Sequence, residues 1–264
     1  MRHMIGHLVR GFADVVFPPR CVACHGLVEQ PAAASATAGA AAGPALPLRH
    51  VCATCEGRIR RAEPPHCPAC GFPYSGEADP ENPPLCEHCE GLDPAWTTAR
   101  TTVLLAGPAR ALVHELKYHR GQHVLPDIEA IVRGHGYVCD FLRGAVLVPV
   151  PLHPRKERER GFNQSALLAG CFARATGGEA TGTRVAPLLR RVLDTQTQTT
   201  LSRAARRANL KNAFALAGGP SINPDQHYIL IDDVFTTGST LNACARVLRR
   251  AGVVNLDVVT FGHG

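Results

Sequence analysis

Tyr228-Ile229-Leu230-Ile231-Asp232-Asp233-Val234-Phe235-Thr236-Thr237-Gly238-Ser239-Thr240 decides how this chain folds. Tyr228 to Ile231 is an apolar run that reads as a buried strand, and it ends in two acids. A hydroxyl-rich turn around Gly238 follows, and then a helix. Leu241, Ala245 and Leu248 fall at i, i+4 and i+7 on one face of that helix, and Gly252 closes it. Such a turn aims backbone N–H groups and hydroxyls at one point, next to the positive end of the helix dipole, and so predicts a phosphate cradle. Asp232 and Asp233 are expected at the carboxyl end of the strand, where ligands of open α/β sheets bind. Two carboxylates beside a phosphate cradle suit a sugar phosphate.

In its order of apolar run, twin acids and Thr-Thr-Gly-Ser-Thr, the stretch resembles the phosphoribosyl-pyrophosphate (PRPP) motif of type I phosphoribosyltransferases. An ordinary strand–turn–helix with a capping hydroxyl is the plainer alternative for any such turn. The resemblance implies an α/β fold with a mostly parallel sheet and flanking helices. It gives Thr236, Thr237, Gly238, Ser239 and Thr240 to the 5-phosphate. Asp232 and Asp233 would be the catalytic acids, holding the ribose hydroxyls and the water shell of Mg²⁺, a hard ion that arrives with phosphates.

With 264 residues and 45% hydrophobic content the chain can fill one large core or two. No stretch approaches the roughly 20 apolar residues that span a bilayer. Met4, Ile5, Leu8, Val9 and Phe12 fall at helical spacing, predicting a short amphipathic helix; neither a continuous apolar core nor a small-residue cleavage site is there to read as a secretory signal. Charge is uneven. Residues 1–95 hold 7 Lys/Arg against 10 Asp/Glu, and residues 96–264 hold 21 against 12. The half with the phosphate motif is therefore the basic half, which suits a polyanionic ligand or nucleic acid.

Eight of the 11 cysteines stand as Cys-x-x-Cys pairs: Cys21/Cys24, Cys52/Cys55, Cys67/Cys70 and Cys86/Cys89. Two residues between thiolates let one tight knuckle present both sulfurs to a tetrahedral ion, and two knuckles complete the ligand set. Cys67-Pro68-Ala69-Cys70-Gly71 reads as a zinc-ribbon knuckle with Gly71 freeing the turn. The chain thus predicts two structural zinc ions in a small module over 1–95, interrupted by an Ala/Gly/Pro-rich insertion at 31–48. Sequential pairing of the knuckles is the choice made; a cross-braced arrangement stays open. Disulfides would need an oxidising compartment, and a redox dithiol does not occur four times in a Pro-rich segment. With every position filled by sulfur, metal catalysis is not expected. His25, His66 and His88 adjoin the knuckles but are surplus, and Cys139, Cys171 and Cys244 read as core residues.

The second domain is expected over 96–264. Trp96 to Ala106 reads as its first strand, and Pro108 to Tyr118 as a helix with Leu112, Val113 and Leu116 on one face. A second amphipathic segment covers about 123 to 133. Ala145 to Val150 is a continuous apolar run too short for a helix, hence a buried parallel strand. After Pro151-Leu152-His153-Pro154 comes an Arg-rich stretch to Ser165, then a helix with Leu167, Leu168, Cys171 and Phe172 inward. Arg suits bidentate phosphate contact, although a solvated charged helix start would look the same. Residues 194–200 are polar without an apolar face and lead into a basic flank with Arg203, Arg206 and Arg207, either a lid over the site or a plain surface loop.

Several further features extend the likeness: Phe17-Pro18-Pro19-Arg20-Cys21, Leu116-Lys117-Tyr118, Pro149-Val150-Pro151-Leu152, Arg160 to Ser165, Gln198 and Leu201-Ser202-Arg203. With them the chain resembles the ComF/GntX family of bacterial phosphoribosyltransferase-like proteins. That resemblance implies a double zinc ribbon before a type I phosphoribosyltransferase fold, in the cytoplasm, with a role in natural competence and DNA uptake. Its implied partners are PRPP, single-stranded DNA and DNA-uptake proteins, and its implied ions are structural zinc and Mg²⁺ with PRPP. Transfer, if the chain performs it, would be attack of a nucleophile at C1 of PRPP with loss of pyrophosphate, which Lys117 and the Arg155–Arg160 segment would meet, with Pro151 and Leu152 also binding PRPP. The alternative is a non-catalytic single-stranded-DNA-binding accessory in which Arg155, Arg203, Arg206 and Arg207 contact DNA or pyrophosphate. Purine-salvage relatives carry an acid where Thr236 stands here, which argues against a 6-oxopurine acceptor. Acceptor, turnover and oligomeric state stay open.

Overall fold

Five parallel strands form the main sheet in the order β1-β7-β6-β2-β3: β1 (Ala99–Leu104), β2 (Val146–Pro149), β3 (Arg184–Val185), β6 (His227–Phe235) and β7 (Asn255–His263). Two short strands, β4 (Leu189–Arg191) and β5 (Phe214–Leu216), pair antiparallel beside it. This computed structural model describes residues 19–29, 47–74, 83–118, 121–193, 212–218 and 222–264. The expected helix at Met4–Phe12, most of the insertion at 31–48, the polar segment 194–200 and Arg203, Arg206 and Arg207 lie outside those residues.

The central strands carry apolar runs, Val146–Pro149 in β2 and Tyr228–Ile231 in β6, because both faces of the sheet are covered there. Ile229, Ile231 and Leu147 face a core shared with helices that include α2 (Gly107–Tyr118), α3 (Leu125–Arg133) and α6 (Gln164–Ala175). Tyr228, Leu230, Val146 and Val148 face the opposite core with α7 (Ser239–Arg250). In the cysteine module α1 is a single turn, Ala53–Glu56; α4 (Gly136–Leu142) and α5 (Pro154–Arg160) complete the helices with assigned labels. The α/β class with a parallel sheet behind a Cys-rich module is the one the sequence predicts. Among the described residues no helix is long and apolar enough to cross a membrane.

Two boundaries differ from expectation. The twin acids do not end their strand: β6 runs on to Phe235 because β7 keeps pairing with it, Asp232 opposite Thr260 and Phe235 opposite His263. The Arg-rich stretch after β2 is not all loop. Pro154 starts α5 at a position where its missing N–H is harmless, His153 caps it by accepting from the Arg155 N–H at 3.2 Å, and Gly161 ends it at φ +84°.

Connectivity places the site. From β2 the chain passes through α6 to β3 on one side; from β6 it passes through α7 to β7 on the other. The crossovers therefore leave β2 and β6 in opposite directions and on opposite faces, making a topological switch point between these two neighbours. The last rung joining them is the Val150 N–H to the Ile231 carbonyl at 2.9 Å. Beyond it β6 continues alone on that side, which opens a notch at the carboxyl edge of the sheet.

Candidate functional site

Asp232 and Asp233 line this notch from consecutive strand positions, so the pleat turns them to opposite faces. Asp233 is 6% exposed and lies on the α2 side, where the Lys117 ammonium approaches its Oδ1 at 3.1 Å. Its other oxygen, Oδ2, is buried without a hydrogen-bond partner among the described residues. Asp232 is half-buried. Its Oδ1 accepts from the Ser165 hydroxyl at 2.8 Å and from the Asp233 N–H at 2.9 Å. Burial and the charge of Asp233 push the Asp232 carboxyl up to about 7, against those two donors and Lys117, which favour the ionised form.

The turn after β6 is held tightly. Gly238 sits at φ +66°, and a Cβ there would lie 2.8 Å from Phe235 Cζ and 3.1 Å from Leu92 Cδ2. Thr237 and Ser239 share a hydroxyl–hydroxyl bond of 2.9 Å, and the Ser239 N–H reaches Thr237 Oγ1 at 3.4 Å. Thr236 is exposed, Thr237 and Thr240 are half-buried, and Ser239 opens α7. The first N–H groups of a helix have no partner within it, so this end is built to receive negative charge.

Across the notch, Pro151 is buried and Leu152 half-buried directly after β2. Asn163 ties the loop back by donating to the Val150 carbonyl at 3.0 Å and caps α6 by accepting from the Ser165 N–H at 3.0 Å. Arg160 leans over the Tyr118 ring, 5.7 Å from its centroid, which brings it to the end of α2 beside Lys117. Arg155 instead lies on the exposed side of α5, paired with Glu159 at 3.1 Å. The structure thus gathers Asp232, Asp233, the turn 236–240, Pro151, Leu152, Lys117 and Arg160 at one edge. Ser165 and Gln164, whose buried Oε1 has no partner among the described residues, belong there too. Neither was assigned a role from sequence, although both follow the Arg160-Gly161-Phe162-Asn163 run; only the contact with Asp232 singles Ser165 out.

The eight paired cysteines form two clusters, Cys21/Cys24/Cys52/Cys55 and Cys67/Cys70/Cys86/Cys89, with all sulfurs of each within 4.8 Å. Pairing is therefore sequential. Sulfur separations across the knuckles are 3.7 Å for Cys24–Cys52, 3.4 Å for Cys70–Cys86 and 3.9 Å for Cys67–Cys89. A tetrahedron with zinc–sulfur bonds of about 2.3 Å has edges near 3.8 Å, so the donor set and its spacing fit structural zinc. The leading knuckle of each cluster turns through a left-handed residue, His25 at φ +62° and Gly71 at φ +73°. At Gly71 a Cβ would lie 2.5 Å from the Thr101 N of β1, so only glycine fits. Cys139, Cys171 and Cys244 are buried, and burial pushes their thiols up, Cys171 to about 11.

No family model matches the chain. Competence protein F of Haemophilus influenzae is 30% identical over 219 residues, covering 78% of this chain and 94% of its own. DNA utilization protein YhgH of Escherichia coli (strain K12) is 32% identical over 219 residues, 81% of this chain and 91% of that one. Competence protein ComFC of Bacillus subtilis (strain 168) is 29% identical over 225 residues, 78% and 80% of the two. Among solved structures, a hypoxanthine phosphoribosyltransferase from Staphylococcus aureus overlaps 52% of this chain and 62% of that one at 16% identity and a TM-score of 0.33.

Proposed function

The chain belongs to the ComF family of competence and DNA-utilization proteins, and from that premise we propose that it is a PRPP-binding member acting in DNA uptake and use. The observation that carries the PRPP reading is the notch at the β2/β6 switch point, where carboxylates and a helix-opening turn meet a cationic rim. In this reading the turn 236–240 receives the 5-phosphate through N–H groups and hydroxyls. Asp233 Oδ2, buried and without a partner among the described residues, would accept from a ribose hydroxyl. Asp232 would help hold the water shell of Mg²⁺, and the ion would supply positive charge against the phosphates. Lys117 and Arg160 stand where the pyrophosphate charge would lie.

Should a nucleophile attack C1, the C1–O bond to pyrophosphate breaks and the leaving group carries its electron pair away. These residues then act by positioning and by stabilising that charge. The DNA connection rests on the relatives' names, and the basic balance of 96–264 suits it.

Thermal unfolding with Mg²⁺ and PRPP tests the reading. Ligand at about 100 times its Kd should add about 2.7 kcal/mol of stability, and Asp233→Asn should abolish the shift. A wild-type chain indifferent to millimolar-scale PRPP with Mg²⁺ would sink it. Pyrophosphate release across a panel of acceptors then decides turnover, and release without any acceptor would mark a hydrolytic remnant.

A further inference from the structure

Residues of the second cysteine cluster belong to the same apolar core as the phosphate turn: Cys67, Cys70 and Cys89 pack with Trp96, Phe235 and Leu241. Three routes run from the knuckles to the turn. In the first, the Leu92 N–H bonds to the Cys89 carbonyl at 2.9 Å, and the Leu92 methyl Cδ2 lies 3.1 Å from where a Gly238 Cβ would be. In the second, Trp96 donates from Nε1 to the carbonyl of Ala69, between Cys67 and Cys70, at 3.1 Å, and its ring meets Phe235 edge to face at 6.3 Å. Phe235 is the last strand residue before the turn and itself touches the Gly238 position at 2.8 Å. The third passes through Asn242 in the first turn of α7. It accepts from the Ala95 N–H at 2.9 Å, donates to the Asp93 carbonyl at 2.8 Å, and bonds by its own N–H to the Gly238 carbonyl at 2.8 Å.

Among the described residues the first cluster makes no such contacts with the turn; it packs elsewhere. Asp127 on α3 receives the Arg49 and His50 N–H groups at 2.8 and 2.6 Å, and Cys21 and Cys55 join the core on the opposite face of the sheet. The two clusters are therefore not equivalent with respect to the turn.

We propose that metal in the second cysteine cluster sets the shape of the phosphate-binding turn, with Leu92 and Trp96 as the positioning residues that transmit it, so that losing that metal switches the pentose-phosphate site off. The switch rests on the PRPP reading for its ligand but not for its mechanics. Four thiolates converge only around a cation. Without it, Cys89 no longer fixes the loop that carries Leu92, and the floor under Gly238 loosens. A conformation with φ positive and first-turn amides aimed outward is then one of several for residues 236–238, and phosphate affinity falls by the fraction of time it is populated.

Hydrogen exchange of the turn amides is the direct test, on full-length chain with zinc supplied. Cys86 and Cys24 are the least buried ligands of their clusters among those on one knuckle each, so Cys86→Ser and Cys24→Ser form a matched pair. Cys86→Ser should speed exchange of residues 236–240 by about tenfold or more, and Cys24→Ser by clearly less. Equal acceleration by both, or none with Cys86→Ser, overturns the proposal. If Cys86→Ser does not fold, Leu92→Ala carries the decision: it leaves the ligands intact, should retain both metals, and should still raise turn exchange and weaken PRPP binding by about tenfold. Unchanged exchange in Leu92→Ala is equally fatal. Accelerated exchange in a chain whose wild type ignores PRPP would keep the coupling and discard the ligand.

Discussion

The Lys117–Asp233 pair gives a sharp asymmetry to measure. Asp233 is the more buried partner, with its side chain 8% exposed against 23% for Lys117. Lys117→Met strands a carboxylate in a site that water barely reaches, one of whose oxygens already lacks a partner among the described residues. Removing one member of a buried pair costs about 3–5 kcal/mol. Because solvent reaches Lys117, that effect is discounted to about 2–3 kcal/mol. At about 2–4 °C per kcal/mol for a chain of this size, the melting temperature should fall by about 5–10 °C. Asp233→Asn strands nothing: the ammonium swings into solvent, and the loss should be about 1 kcal/mol. The double variant leaves no uncompensated charge, so it should be more stable than Lys117→Met alone. Calorimetric melting of the four proteins, zinc-loaded and without PRPP, completes the cycle. Additive losses, or a Lys117→Met at least as stable as Asp233→Asn, would refute the claim that the two side chains are coupled with Asp233 as the buried partner.

Gly238→Ala should cost about 2–3 kcal/mol in urea unfolding, from the left-handed backbone and the contact with Phe235, and should erase stabilisation by PRPP. Because the Asp232 carboxyl sits near 7 in the folded chain, the folded state keeps a proton that the unfolded state has released. Its contribution to stability is complete below about pH 4 and disappears as pH rises through about 7. Asp232→Asn, neutral throughout, should gain on the wild type between about pH 5 and pH 8; a difference that stays flat would exclude the shift. Asp127→Asn keeps one acceptor for two backbone donors in a site 2% exposed, so it should lower stability by about 2–3 kcal/mol and hasten zinc release to a chelator from the first cluster before the second.

Local patterns were legible where one stretch carries its own period. The apolar run to Ile231, the i, i+4, i+7 stripe of Leu241, Ala245 and Leu248, and the short run at Val146 each name their element without help from elsewhere. The end of β6 was not legible, because Asp232 to Phe235 stay extended only through pairing with β7, and that partner lies beyond a whole helix. From this follows the missed consequence that the two acids face opposite sides. Ser165 stayed hidden for a related reason: its bond to Asp232 spans 67 residues, and no local pattern marks a serine as a second-strand partner. Cys-x-x-Cys spacing predicts two metal sites but leaves their pairing open, since any two knuckles can supply four sulfurs. The sulfur–sulfur distances close that choice.

Composition suggests a boundary near residue 95, and both cores draw residues from either side of it. Each face of the sheet is completed by one cysteine cluster, Cys21 and Cys55 on the side of α2, α3 and α6, Cys67, Cys70 and Cys89 on the side of α7. The joints are specific on both: Asp127 receives Arg49 and His50, while Cys70 gives its carbonyl to the Thr101 hydroxyl and Pro68 gives its carbonyl to the Ala99 N–H on β1. A small metal-held module has little core of its own and gains one by lending its apolar knuckle residues to a larger neighbour. In exchange the edge strand β1 acquires cover that the helices do not supply, since the Arg61–Val103 bridge and the Ala62 N–H to the Thr102 carbonyl sit along it. A fragment starting at Trp96 would uncover part of both cores and the outer edge of β1 at once, so it should unfold at a lower temperature than the full chain.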